Sequence, residues 1–146
     1  MTKTTRSISV SKPKSAVWNF LNDVTRVGGC LPGCQDVRIL DDTRSIWKVK
    51  VTTGILSRIF ETYVTKVIEQ QLERISFQIK TTNGDIEGKL DLILADFLQN
   101  QTNSTTIRVD LDLKASGSFS WVVNQMIGKQ SDKMIELFVA CLEKSA

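Results

Sequence analysis

The sequence between residues 35 and 115 alternates polar and apolar residues in one short run after another. In the run "SIWKVKVTT", Trp47 and Val49 lie on one side of an extended chain, and Lys48 and Lys50 lie on the other. Such alternation is typical of antiparallel strands that bury one face and expose the other to water. The pattern therefore predicts a sheet in this region.

Turn residues divide the alternating region, and Asn83-Gly84 is a strong hairpin signal. A further short strand, "TRSISV", precedes this region. The predicted strands are residues 5–10, 35–41, 45–53, 57–70, 74–81, 85–97 and 103–115.

Helical spacing of apolar residues predicts three helices. The segment "SKPKSAVWNFLND" predicts a helix of about ten residues with Ser11 as its N-cap. Asn22-Asp23 then caps a shorter helix, which we expect Gly28-Gly29 to end. From Trp121 onward, about 23 residues predict one helix roughly 34 Å long.

This order of elements favours an α+β helix-grip fold in a single domain, residues 1–146. A curved antiparallel sheet of six to seven strands wraps around the long C-terminal helix, and two short helices follow the first strand. The helix has to bury its apolar stripe against the sheet. A concave apolar gap between the two layers is a place where small molecules bind.

Composition excludes several classes of function. Histidine is absent, so His-based triads and imidazole metal sites are excluded, and we expect no metal, no cofactor and no catalysis. A net charge of +3 is too small to favour nucleic acid. No signal peptide or apolar run of about 20 residues is present, so we expect a cytoplasmic protein with reduced thiols.

Several stretches together resemble a known family: "SKPKSAVWNFLND", "VGGCLPGCQDV", "VTTGILSRIFETYV", "GDIEGKLDLILAD" and "GSFSWVVNQMIGKQSDKMIELFVACL". In this order they resemble the CoxG family of carbon monoxide dehydrogenase subunits, within the START-like, or SRPBCC, superfamily. The resemblance implies a cavity protein that accompanies molybdenum hydroxylases, in assembly or recruitment or in handling a lipid-like or quinone-like molecule. Cys34 departs from the family pattern, and because the sequence ends after its last helix we expect no membrane-anchoring tail.

Apolar residues on the predicted inner faces are the candidate cavity lining: Trp47, Val49, Phe60, Phe77, Ile79, Leu90, Leu111, Met126 and Met134. Arg58 shares the parity of Phe60, so it either meets a ligand carboxylate or quinone oxygen in the cavity or is an exposed strand-end arginine. Phe119, Trp121 and Val122 either form the cavity mouth and a surface for a partner or membrane, or seal the end of the core.

The chemically reactive residues have simpler interpretations. Asp110 and Asp112 are expected in solvent, whereas Glu61, Tyr63 and Arg58 could serve a cyclase only if two of them shared a pocket.

Cys30 and Cys34 are interpreted as turn and packing residues around Pro32 and Gly33, with a redox pair as the alternative, and Cys141 as a packing residue. Cys30→Ser and Cys34→Ser should therefore leave ligand binding intact. The leading hypothesis is a non-catalytic carrier of a hydrophobic small molecule, and an assembly or recruitment factor for a hydroxylase is the alternative.

Overall fold

The computed structural model of the chain describes residues 2–53, 55–96, 104–127 and 130–145. Within these ranges seven strands form one curved antiparallel sheet: β1 (Thr2–Val10), β2 (Cys34–Ile39), β3 (Arg44–Thr53), β4 (Leu56–Gln70), β5 (Arg74–Thr81), β6 (Ile86–Asp96) and β7 (Thr105–Ala115). The helices are α1 (Lys14–Leu21), α2 (Val24–Cys30), α3 (Ser120–Ile127) and α4 (Gln130–Ser145).

The sheet order is β1-β7-β6-β5-β4-β3-β2, so β1 and β2 are the edge strands. Strands β2 to β7 form a meander, in which each strand pairs with the next one in the sequence. Strand β1 pairs with β7, and Ile8 lies opposite Ile107. The predicted helix-grip fold is confirmed. The predicted C-terminal helix corresponds to α3 and α4, and residues 128–129 between them lie outside the described ranges.

The ends of α1 and α2 agree only in part with the predicted ones. Pro13, not Ser11, occupies the N-cap position of α1, and its ring has no capping oxygen to offer. Asp23 caps α2 as predicted, because its side chain accepts hydrogen bonds from the backbone N–H groups of Thr25 and Arg26.

Gly28 does not end α2, which continues to Cys30. A Cβ atom at Gly28 would lie 2.3 Å from Cγ2 of Val37 on β2. The glycine therefore permits the close packing of this helix on the sheet. The missing side chain of glycine led to the prediction of a helix end here, but in the structure it permits close contact between α2 and β2.

Two clusters of buried side chains lie between the sheet and the helices. The larger cluster joins α1 and α4 to the sheet and includes Phe20, Ile75 and Leu142, all fully buried. The smaller cluster includes Phe60 on β4 and Val122 on α3. The inner faces of the strands thus meet the apolar stripes of the helices, as the alternation predicts.

The chain enters the sheet through a turn at Gly33, whose φ angle is +90°. The backbone N–H of Lys50 donates a hydrogen bond to the carbonyl oxygen of Gly33 at 2.8 Å, so the turn is tied to β3. A positive φ angle is a conformation that glycine adopts at little cost. The turn thus lies at the position where the sequence predicts it, next to Pro32.

Cys30 and Cys141 form a disulfide that joins α2 to α4. The expectation of reduced thiols is therefore wrong for these two residues, and the redox pair suggested by spacing, Cys30 with Cys34, is not formed. Cys34 is a free, partly buried thiol, and burial raises its pKa. The two bonded cysteines are 111 residues apart in the chain, so local spacing gave no indication of their pairing.

None of the helices in the described parts of the chain combines the length and the apolar character needed to cross a bilayer.

Candidate ligand cavity

A cavity of about 280 Å³ lies between the inner face of the sheet and the helices. Apolar side chains from all four helices and from six of the strands form most of its lining. Eight of the predicted inner-face residues belong to this lining: Trp47, Val49, Phe60, Phe77, Ile79, Leu90, Leu111 and Met134. The side chain of Met126 lies outside the described residues.

Strand register explains how residues far apart in the chain reach one surface. Residues directly opposite in an antiparallel pair point to the same face. Phe77 lies opposite Leu90, Leu90 opposite Leu111, and Leu111 opposite Thr4. These four residues therefore form a row across four neighbouring strands, and Phe138 of α4 lines the same cavity.

Polar residues in the lining are few: Thr4, Arg6, Thr62 and Thr81. The hydroxyl of Thr81 accepts a hydrogen bond from the backbone N–H of Ile86 at 3.1 Å, so the strand itself uses this polar group. Arg6 is the only charged residue among the described residues of the lining. Of the lining residues that the structure describes, Arg6 is therefore the one that can recognise a charged group by ion pairing.

Arg6 was not identified from the sequence, although a signal was present. It shares the parity of Ile8 and Val10, which point inward, and it lies opposite Val109 of β7. A charged residue at an apolar inward position departs from the alternation of the strand. Its guanidinium forms an ion pair with the carboxylate of Asp132 on α4.

Arg58 does not line the cavity and is exposed, although its parity is that of the inner face. Its guanidinium carbon lies 4.5 Å from the ring centroid of Phe119 and 5.6 Å from that of Phe60. These are cation–π distances. Arg58 lies near the start of β4, opposite Val51, and there it covers an aromatic pair from the outside.

The predicted mouth cluster is divided between two environments. Val122 is 1% exposed and lines the cavity, so it cannot belong to a partner surface. Phe119 and Trp121 are half-buried and pack against the smaller core cluster. These contacts agree with the alternative interpretation, in which the cluster seals one end of the core.

The candidate catalytic residues do not meet in the cavity. Glu61 and Tyr63 are exposed and belong to the opposite face of β4 from Phe60 and Thr62, which line the cavity. Of these described residues, neither Glu61 nor Tyr63 nor Arg58 belongs to the lining. Within the described ranges, no three cysteine, aspartate or glutamate side chains are grouped so that they could hold a metal ion.

Asp112 is 7% exposed, which corrects the expectation that it lies in solvent. Lys3 of β1 and Lys89 of β6 lie directly opposite it in the sheet. The neighbouring strands on both sides shield its carboxylate. The alternation of polar and apolar residues assigns Asp112 to the outer face but does not reveal this shielding.

Asp91 also lies on this outer face, in contact with β5. Burial raises the pKa of Asp91, but hydrogen bonds donated by Ser76 and Arg74 outweigh that effect and lower the pKa below its ordinary value. Asp91 and Asp112 therefore lie on the outer face of the sheet and do not belong to the cavity lining.

Comparison of the sequence with protein families gives a match over residues 7–146 to the family described as the CoxG subunit of carbon monoxide dehydrogenase. The chain belongs to the CoxG family. No curated protein sequence matches it significantly. The family match covers every element except the first residues of β1, so it agrees with the helix-grip order of the fold.

Solved structures show the same START-like fold. A conserved protein from Geobacillus kaustophilus superposes with a TM-score of 0.82 at 12% identity, over 99% of this chain and 94% of that chain. A START superfamily protein from Mycobacterium smegmatis has a TM-score of 0.65 at 14% identity, covering 98% and 95%. The Zhui aromatase/cyclase from Streptomyces sp. R1128 has a TM-score of 0.66 at 13% identity, covering 99% and 92%.

These similarities at low identity show the fold of this CoxG family member. The fold occurs both in a cyclase and in other START superfamily proteins, so it suggests a domain that binds a ligand and does not by itself assign a reaction.

Proposed function

We propose that this CoxG family protein is a non-catalytic, single-domain carrier of a hydrophobic, lipid-like or quinone-like molecule. The observation that supports the proposal is the apolar cavity between the sheet and α4. In this proposal the protein acts as an accessory to a molybdenum hydroxylase of the carbon monoxide dehydrogenase type. The family description supports that assignment.

The lining favours an apolar guest for a physical reason. Burial of apolar surface contributes about 25 cal/mol per Å², and the cavity offers such surface on every side. Ligand sites usually measure about 300–1,000 Å³, so a volume of about 280 Å³ suits a small or slender molecule. Phe60, Phe77 and Trp47 add flat aromatic surface on which a ring or an alkyl chain can pack.

Native mass spectrometry of gently purified protein tests this proposal. We expect a bound small molecule, and we expect thermal stabilisation by members of a panel of quinones and lipids. Absence of both signals would contradict the carrier function.

Leu111→Trp should weaken binding of any such ligand by about tenfold or more, because the indole takes volume from the cavity. Leu111 lies in the cavity row between Leu90 and Thr4. The matched control is Val67→Trp, at an exposed position of β4, which should bind like the wild type. Titration of both variants with the best ligand of the panel provides the comparison, and equal affinities would place the ligand elsewhere.

A second candidate function, a recruitment or assembly factor that acts by protein contact, is supported by a different surface. Ile59, Tyr63 and Val67 are exposed on β4, and Glu61 and Thr65 lie between them. Exposed large side chains grouped on one strand favour contact with another protein or a membrane surface. This surface, which we call the β4 stripe, is separate from the cavity.

The β4 stripe yields a prediction for complex formation. If the protein recruits a hydroxylase, then co-expressed hydroxylase subunits should co-purify with the wild type, and the double variant Ile59→Lys/Val67→Lys should lose most of them. Leu137→Lys on α4, also exposed, is the matched control and should retain them. Failure of the wild type to retain any hydroxylase subunit would contradict this function and leave the carrier function standing.

A further inference from the structure

Arg6 combines three features that differ from those of the other lining residues. It lies on the edge strand β1, it points inward between apolar neighbours, and its guanidinium reaches α4. Its side chain is 30% exposed, whereas that of its partner Asp132 is 63% exposed. Arg6 thus connects the cavity interior with the rim at which β1 faces α4.

An arginine at this position departs from the apolar pattern of the inward residues of β1. Asp132 is largely exposed, and ion pairs with such a partner contribute about 0–1 kcal/mol. An apolar side chain at position 6 would match Ile8 and Val10 and would pack against the same surface.

We propose that Arg6 is the headgroup anchor of the cavity and that the ligand is an amphipathic carboxylate, with an apolar tail in the cavity. This inference rests on the proposed carrier function and adds the chemical class of the ligand. The Asp132 carboxylate shows which group the guanidinium accepts. A ligand carboxylate takes its place at the rim and forms charge-assisted hydrogen bonds with Arg6.

The geometry also orients the ligand. From Arg6 the cavity extends across the sheet through Leu111 and Phe77 toward Trp47 on β3. The tail lies along this apolar path, and the carboxylate stays at the rim. Asp132 acts as a competitor that the ligand displaces, so its removal should strengthen binding.

Calorimetric titration with two probes of equal tail length, dodecanoate and dodecanol, tests this anchor. The wild type should bind dodecanoate about tenfold or more tightly than dodecanol, because hydrogen bonds to charged groups contribute more than neutral ones. Arg6→Met should remove this preference and keep the affinity for dodecanol. Asp132→Asn should raise the dodecanoate affinity about two- to fivefold, the range expected for an exposed ion pair.

The outcomes separate the two proposals. Equal binding of both probes by the wild type would overturn the anchor and support the carrier function. Binding of neither probe would overturn the anchor, and the panel of quinones and lipids would then decide the carrier function. Asp132→Asn keeps the test valid if Arg6→Met fails to fold, because position 132 is exposed: an unchanged dodecanoate affinity in this variant would contradict the displacement of Asp132.

Discussion

Cys141→Ser should lower the free energy of unfolding by about 2–4 kcal/mol, the usual contribution of a native disulfide. Cys141 on α4 is bonded to Cys30 on α2, and the two residues are 111 positions apart. A bond that closes so long a loop restricts the unfolded chain strongly. It also holds α4 on the helical layer through Cys30, a buried member of the larger core cluster.

Urea unfolding with and without a reductant measures this effect. The reductant should destabilise the wild type by as much as the substitution does, and it should have no further effect on Cys141→Ser. Cys34→Ser is the matched control and should unfold like the wild type, because Cys34 is a free thiol. Detection of three reactive thiols in the denatured, unreduced wild type, instead of one, would contradict the disulfide.

Gly33→Ala should destabilise the protein by about 2–3 kcal/mol, the second large effect that we expect. The φ angle of +90° already disfavours any residue with a Cβ atom. That atom would also lie 2.5 Å from the carbonyl oxygen of Lys50, which belongs to the backbone of β3 and cannot rotate away. The turn and the start of the β2–β3 pairing would both have to shift.

Gly29→Ala is a matched control for this substitution. Gly29 lies inside α2, its added Cβ atom would meet nothing within 4 Å, and alanine is favoured over glycine in a helix by about 0.5–1 kcal/mol. The midpoint temperature of thermal unfolding should therefore fall for Gly33→Ala and rise for Gly29→Ala. Equal stability of Gly33→Ala and the wild type would show that the turn does not need the left-handed conformation.

Secondary structure and the facing of strands followed from the sequence because both depend on neighbours a few residues apart. The alternation around Trp47 and Val49 and the turn at Asn83-Gly84 placed strands within a few residues of their observed bounds. Predictions were wrong where one local sequence signal is compatible with two structural roles. Gly28 ends a helix in one context and permits close packing on Val37 in another.

The sequence by itself determined the order of the elements, the inner and outer faces of the strands and the family, since period and motif are properties of the chain alone. Only the tertiary structure decided that Cys30 meets Cys141, that Arg6 faces Asp132, and that Arg58 covers the outside of Phe119. These contacts depend on how the helices lie across the sheet. The cavity is likewise a tertiary property, because its volume is the space that the curved sheet encloses and the side chains leave unfilled.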